Sequence, residues 1–315
     1  MDTTGPHGLV PWTALLVALT ACLALDFGLA AGRHRAIGLK EAVGWNVFWV
    51  AVALAVALPV HALYGATGAA EYLTGYVVER SLSVDNIFVF VVIFKYFAIP
   101  DDRQARVLFL GIIGALLMRA VFIVAGAAIA SRFHAILYLF GAFLVYTGIA
   151  LVVKGEQPPP DPDKNLVVRA VGRVLPILRS DRSERLFVRT GGRFYGTPML
   201  VALLVVASTD FVFALDSLPA ILGVTRNPWI LFASNAFAVL GMRVLYFLLA
   251  AVLPRFRYLN YGLALILTFI GARMLVEPWL DIPIGVTLGL VLAILAVSIA
   301  ASLVGPGRRG GDEGL

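Results

Sequence analysis

Long stretches without charge constrain the fold of this chain more than any other feature. Residues 282–307 contain no charged side chain, residues 42–70 contain only His61 as a possible charge, and residues 133–153 contain only His134. Each stretch is long enough to cross about 30 Å of hydrocarbon as an α-helix. Hydrophobic residues make up 60% of the chain and charged residues 14%, which indicates a membrane protein and excludes a water-soluble core.

Followed along the chain, the same pattern predicts an all-α polytopic membrane protein with nine transmembrane helices. The first apolar run has no basic start and no clear cleavage site, so we interpret it as a retained helix rather than a signal peptide. The predicted helices cover residues 9–31, 43–64, 67–97, 105–130, 134–153, 197–224, 228–252, 258–277 and 282–305.

The distribution of Lys and Arg predicts the orientation, because these residues accumulate in cytoplasmic loops. With the N-terminus outside, 19 of the 25 Lys and Arg residues fall in inner segments, two in outer loops and four within helices. We therefore expect a multi-pass plasma-membrane protein with a cytoplasmic C-terminus. The net charge of +6 then reflects topology and contact with anionic lipid, and it is poor support for nucleic-acid binding.

Two parts of the chain share the order of their landmarks, which predicts an internal repeat. The pair Glu79 and Asp85 matches Asp210 and Asp216 in spacing, and each pair is followed by a Met-Arg dipeptide containing Arg119 or Arg243 in the next helix. Units of three helices must enter the membrane from opposite sides, as in many secondary transporters. The predicted organisation is two N-terminal helices (1–66), repeat 1 (67–153), a cytoplasmic linker (154–196), repeat 2 (197–277), and a last helix with a disordered tail (278–315).

Acidic side chains inside membrane-length apolar sequence are the candidate functional residues, since each costs at least about 2.5 kcal/mol in hydrocarbon. Six residues on a continuous helix rotate the chain by about 240°, so the paired acids either act at different depths or flank a helix break. Pro219 makes a break in the second motif plausible, because it frees the carbonyl oxygen of Leu215. The resulting ligand set of carboxylate, amide, hydroxyl and carbonyl oxygens suits hard cations such as manganese, magnesium or calcium, and also sodium or protons; its side chains are those of Asp85, Asn86, Asp216 and Ser217.

Each candidate also has a structural interpretation. Asp85 and Asp216 could pair with Arg119 and Arg243 as counter-ions that lock helices together. Glu79 is either a proton or accessory site or a half-solvated neighbour of Arg80. Two further residues carry the same ambiguity: Asp26 is an accessory site or an interfacial acid, and Asn235 is a ligand or an interhelical hydrogen-bonding residue. A soft-metal site is not expected, because the chain has one cysteine, Cys22, and four scattered histidines.

At these residues the chain resembles the TerC family of integral membrane proteins, in particular its Alx-like branch. The resemblance runs from Asp26 to about residue 277 and is carried by the segments EYLTGYVVERSLSVDNIFVF, TPMLVALLVVASTDFVFALDSLPAI and SNAFAVLGMRVLYFLLA. The resemblance implies a fold of the LysE-like transporter group, a link to tellurium resistance, and export of manganese. It also implies that the metal is bound by the acidic motifs, which here contain Asp85, Asn86, Asp210, Asp216 and Ser217. One position departs from the family pattern, which often has Glu where this chain has Ala207.

Two functions therefore stay open at this stage. The first is a manganese exporter driven by proton entry, with the divalent cation as its partner, manganese as the transported ion and no resident cofactor. The second is a non-transporting membrane factor in stress response or membrane-protein assembly, with protein partners that the sequence does not identify. We do not expect an enzyme, because the chain contains no P-loop, no catalytic-triad pattern and no H-E-x-x-H motif.

Overall fold

The computed structural model describes residues 8–31, 38–97, 99–132, 135–154, 170, 186–190, 193–252, 258–280 and 282–304. Within them lie the helices α1 (Leu9–Ala31), α2 (Leu39–Tyr96), α3 (Asp101–Arg132), α4 (Ala135–Lys154), α5 (Pro198–Leu222), α6 (Pro228–Val239), α7 (Met242–Val252), α8 (Leu259–Val276) and α9 (Ile284–Val304). The strands β1 (Phe187–Thr190) and β2 (Arg193–Gly196) precede α5. The expected all-α membrane fold is confirmed, with this one short hairpin as an addition.

The helix α2 is a helical hairpin that turns at Gly65. Gly65 has φ 72° and ψ −171°, a conformation that side chains with a Cβ rarely adopt. The hydroxyl of Tyr72 donates to the carbonyl oxygen of Ala53 at 2.9 Å, a contact that a straight helix would separate by about 28 Å. The two halves therefore lie side by side, and the predicted boundary between the helices 43–64 and 67–97 is confirmed.

A second break separates α6 from α7, where the sequence predicted one helix over 228–252. The two helices are bent by 42°, and Gly241 between them has φ 77°. A Cβ at Gly241 would lie 2.6 Å from Cγ of Trp49, so both the backbone conformation and the packing require glycine. This break was not predicted, because nothing in the apolar pattern distinguishes Gly241 from a glycine inside a helix.

Helix length and apolarity support a polytopic membrane protein. Within the described residues, four helices are long and apolar enough to cross a membrane, or five if α6 and α7 form one broken span. One of the four is a 45-residue segment of α2, and at about 68 Å its length suffices for two crossings. Three shorter apolar helices lie within α4, α5 and α8. The count of nine crossings stays a prediction.

The helices of the two predicted repeats pack on one another reciprocally. The second half of α2 packs on α6, α5 packs on α3, and α4 packs along α8. The first helix of each unit thus contacts the second helix of the other, and the third helices contact each other. A pseudo-two-fold relation would produce this exchange, although the inverted repeat itself stays a prediction.

The α4–α8 contact depends on small residues. A Cβ at Gly271 would lie 2.6 Å from the carbonyl oxygen of Gly141, and a Cβ at Gly141 would lie 3.0 Å from the carbonyl oxygen of Gly271. Glycine at both positions lets the two backbones approach closely, which is how helices gain contact area inside a membrane.

The end of the predicted linker leads directly into the second unit. The strands β1 and β2 pair antiparallel from Phe187 with Gly196 to Thr190 with Arg193. Thr197 then caps α5 by accepting a hydrogen bond from the backbone N–H of Leu200. The rest of the predicted linker, apart from residue 170, and the predicted tail beyond residue 304 lie outside the described residues.

Candidate ion site

Five buried polar residues from four helices meet in one cluster, which we call the Arg119 cluster: Glu79 and Asn86 of α2, Arg119 of α3, Asp210 of α5 and Asn235 of α6. None of the five is more than 5% exposed. Polar groups at this depth need partners, because each unpaired one carries the full cost of losing water. The cluster is therefore the main polar feature in the apolar interior that the structure describes.

Arg119 lies at the centre of this cluster. Its Nη1 donates to Oε1 of Glu79 and, at 2.8 Å, to Oδ1 of Asn235. The amide of Asn235 in turn donates to the other oxygen of Glu79 at 3.2 Å. The three side chains thus form a closed triangle of hydrogen bonds, in which one carboxylate is shared by a guanidinium and an amide.

Asp210 lies on the other side of the same guanidinium. Its Oδ1 is 3.9 Å from Nη2 of Arg119, within ion-pair range but too far for a hydrogen bond. The side chain of Asn86 hydrogen-bonds to Asp210. Two carboxylates from two different helices therefore share one arginine, and when both acids are ionised the cluster carries a net charge of −1.

A narrow pocket adjoins Asp210. Apolar side chains from several helices line it, and Asp210 is the single charged residue among its lining residues, which are Phe90, Leu108, Gly111, Ile112, Ala115, Val206, Asp210, Val239 and Met242. Val239 and Met242 flank the break between α6 and α7. The pocket thus connects a buried carboxylate with a helix break, the combination on which many membrane transporters build ion sites.

Helical spacing explains why Asn86 joins Glu79. Seven residues rotate a helix by about 700°, within about 20° of two full turns, so the two side chains share one face of α2. Asp210 and Ser217 have the same spacing on α5. The sequence argument compared acids six residues apart and overlooked this seven-residue relation, which occurs in both motifs.

Asp26 is buried inside the protein, which contradicts one of its two interpretations, that of a snorkelling interfacial acid. Asp26 is 1% exposed, and Arg243 of α7 binds both of its carboxylate oxygens, with Nη2 at 2.9 Å from Oδ1 and Nε at 3.2 Å from Oδ2. Nη2 also donates to the backbone carbonyl of Asp26. The ion pair joins α1 to α7, and Arg243 is thereby committed to an acid other than the one considered from the sequence.

The structure also contradicts one of the two interpretations of Glu79 and the helix break predicted at Pro219. Glu79 is fully buried rather than half-solvated, and it is the acid that Arg119 binds. Pro219 does not break its helix between the two acids, since α5 continues from Pro198 to Leu222 through Pro219. The breaks lie instead at Gly65 and Gly241, where a positive φ is possible.

The remaining site candidates are Asp85, Asp216 and Ser217. Asp85 and Asp216 lie on α2 and α5, but their side chains fall outside the described part of the structure. The hydroxyl of Ser217 is buried and donates to the carbonyl oxygen of Ala214 in its own helix. Ala207 is half-buried on α5, one turn before Asp210. Among the described residues, no group of three or more His, Cys, Asp or Glu side chains could hold a metal ion.

Arg80 is a structural residue that the sequence analysis did not single out. Its Nη1 donates to the carbonyl oxygens of Ala238 at 3.0 Å and Leu240 at 3.2 Å, and its Nη2 donates to Asn46 at 2.9 Å. A positive charge suits these carbonyls, because they lie at the C-terminal end of α6. Arg80 therefore stabilises the helix break beside the pocket and ties it to both halves of α2.

Comparison with known protein families agrees with this architecture. The model of the "Integral membrane protein TerC family" matches residues 64–309, most of the chain. The chain belongs to the TerC family. The match includes all five residues of the Arg119 cluster, and the expected resemblance is confirmed. No solved structure is significantly similar to this TerC-family protein.

Relatives of this TerC-family protein are similar over nearly their whole length. "Uncharacterized membrane protein STKORF319" of Myxococcus xanthus is 41% identical over 302 residues, which cover 96% of this chain and 94% of the relative. "Putative membrane-bound redox modulator Alx" of Escherichia coli (strain K12) is 40% identical over 315 residues, which cover 95% of both chains. An uncharacterized membrane protein of Rickettsia felis is 34% identical, covering 93% of this chain and 97% of the relative.

Proposed function

We propose that this TerC-family protein exports a divalent cation through the Arg119 cluster by exchange with protons, and that manganese is the ion. The observation that carries the proposal is the meeting of Glu79 and Asp210, from the first helices of the two predicted repeats, at one buried position. Ionisable residues inside a membrane mark ion or proton pathways in most proteins that contain them. The choice of manganese rests on the family resemblance together with the oxygen ligands of the cluster, which suit hard cations.

The proposal includes proton coupling because outward transport opposes the membrane potential. Moving one positive charge outward against 100 mV, inside negative, costs about 2.3 kcal/mol, and a divalent cation costs about twice as much. The sequence contains no P-loop motif, and inward movement of protons, at about 2.3 kcal/mol each per 100 mV, can supply this energy. Glu79 and Asp210 are the acids of the cluster that can carry either the cation or the proton.

For orientation, we propose that the N-terminus is outside and that the linker between α4 and α5 is cytoplasmic. The predicted inner segments hold 19 of the 25 Lys and Arg residues and the predicted outer loops hold two, which supports this orientation. In a Cys22→Ser background, a cysteine at Asn227 should react with an impermeant reagent added to intact cells, and a cysteine at Lys164 should not. The reverse labelling pattern would show that the protein has the opposite orientation in the membrane.

The name of the Alx relatives suggests a role in redox balance, and a non-transporting membrane factor is the alternative function. This chain has one cysteine, Cys22, half-buried on α1. A dithiol–disulfide couple within the chain needs two cysteines, so such a couple is not available here. We therefore place any influence on cellular redox state downstream of metal transport.

The direct test is the metal content of cells. In a manganese-sensitive host, the wild-type protein should lower cellular manganese and restore growth at high manganese, with magnesium, calcium and zinc measured in the same cells as controls. Asp85→Asn and Asp216→Asn extend the test from the Arg119 cluster to the two acids that the sequence predicts as further ligands. Each should remove this effect at near-normal membrane abundance, because an amide keeps the volume and removes the charge. Unchanged metal content with a well-expressed wild-type protein would favour the non-transporting factor.

A further inference from the structure

We propose that Arg119 is a built-in counter-cation: it occupies the ion position between Glu79 and Asp210 when the site is empty, and a bound divalent cation displaces it. The inference rests on the proposed transport function and adds a mechanism to it. In the structure described here, the side chains that would bind a cation are held by the arginine of the same protein.

The hydrogen bonds of Arg119 carry the first step of the argument. Its guanidinium is 3% exposed, yet only Nη1 is hydrogen-bonded, whereas Nε and Nη2 are buried and have no hydrogen-bonding partner within the described residues. An arginine that only links helices is expected to satisfy most of its five N–H groups. Arg119 thus makes hydrogen bonds through one nitrogen and otherwise interacts with the carboxylates by charge alone, which lowers the cost of exchanging it for another cation.

Arg243 provides the contrast within the same chain. It is equally buried, but Nε and Nη2 donate three hydrogen bonds to a single aspartate, to both carboxylate oxygens and to the backbone carbonyl. Moving this arginine would break all three bonds at once. The two buried arginines therefore have different roles: Arg243 fixes α1 against α7, whereas Arg119 is shared between two acids and is fully bound by neither.

Charge complementarity indicates which ion replaces Arg119. With the guanidinium in place, ionised Glu79 and Asp210 leave a net charge of −1, and without it they leave −2. A charge of −2 balances one divalent cation, and the amide oxygens of Asn86 and Asn235 can supply neutral ligands. A guanidinium and a divalent cation cannot share this position, because they repel each other strongly in a low-dielectric interior.

Binding of Mn²⁺ to purified full-length protein tests this mechanism. Arg119→Gln should bind Mn²⁺ more tightly than wild type, by about tenfold or more, because it removes an internal competitor. Arg119→Lys should give a smaller gain, since one ammonium cannot reach both acids as the planar guanidinium does. Export in cells should fall in Arg119→Gln despite the tighter binding, because nothing remains to displace the bound ion.

Arg243→Gln is the matched control, since it removes an equally buried arginine outside the cluster. It should lower thermal stability without raising the affinity for Mn²⁺. If wild type exports manganese but neither Arg119 variant binds Mn²⁺ more tightly than wild type, the counter-cation proposal is wrong and the proposed transport function stands. If wild type neither binds nor exports Mn²⁺, both proposals fail. An equal gain in Arg243→Gln would show a general charge effect and would also overturn the counter-cation.

Discussion

Replacing Glu79 by glutamine is expected to abolish manganese export while the protein still reaches the membrane. Glutamine keeps one oxygen that can accept from Arg119 and has nearly the same volume, but it loses the oxygen that accepts from Asn235. It also removes the charge that Arg119 and, in our proposal, the transported cation share. An interaction with a charged group is worth about 1.5–3 kcal/mol, which corresponds to a loss of roughly 10- to 150-fold in rate or affinity. Metal efflux, measured at equal membrane abundance, gives the result.

Two variants make this test specific. Asp210→Asn should produce a loss of similar size, because Asp210 is the second carboxylate at the same guanidinium. Glu71→Gln is the matched control: it lies on the same helix, eight residues earlier, and accepts a hydrogen bond from Thr225, which a glutamine oxygen can still accept. Efflux at the wild-type rate in both Glu79→Gln and Asp210→Asn would exclude the Arg119 cluster from the ion pathway.

Replacing Arg243 by leucine should destabilise the protein by about 3–5 kcal/mol, since it leaves Asp26 buried without its counter-ion. The cost arises from the unpaired carboxylate rather than from the lost attraction alone. The double variant Asp26→Leu with Arg243→Leu should therefore recover most of the stability, because it removes both charges. Size-exclusion chromatography of the purified protein after heating to a series of temperatures measures the thermal stability of each variant.

Arg226 supplies the comparison for an exposed pair. It binds Glu277 through both carboxylate oxygens, but the two side chains are 49% and 55% exposed. Arg226→Leu should change stability by no more than about 1 kcal/mol, because water replaces the lost partner. Equal losses in Arg243→Leu and Arg226→Leu would contradict the role assigned to burial. If the single variant Arg243→Leu were as stable as wild type, burial of Asp26 would not require the ion pair with Arg243.

The membrane fold could be predicted from sequence because its cause is local. Uncharged runs such as 282–307 must become helices in hydrocarbon, where every backbone N–H and carbonyl needs an internal partner. The turn at Gly65 was also predicted closely, since it separates two apolar runs that are each long enough to span. The break at Gly241 was not, because it depends on Trp49, which lies on a different helix.

The residue types of the Arg119 cluster could be predicted from sequence, but their pairing could not. The acids within apolar sequence identified Glu79 and Asp210 as candidates, and the arginines were recognised as counter-ions. Which arginine meets which acid could not be inferred, since Arg119 and Glu79 lie 40 residues apart and Arg243 and Asp26 lie 217 residues apart. Helix spacing restricts the face on which a side chain lies, but it does not determine which helix faces it.

The sequence by itself determined that this protein lies in a membrane, that it is built of helices, and that its buried polar groups are acids, amides and arginines. These three properties follow from the composition and from the spacing of residues along a helix. Composition sets the free energy of transfer into the membrane, and spacing sets which side chains share a helix face. The tertiary structure alone decided that Glu79 and Asp210 share Arg119 while Arg243 is committed to Asp26. The reason is physical: the pairing of buried charges is set by packing between helices distant in sequence, and that packing depends on close contacts such as those at Gly241 and Gly271.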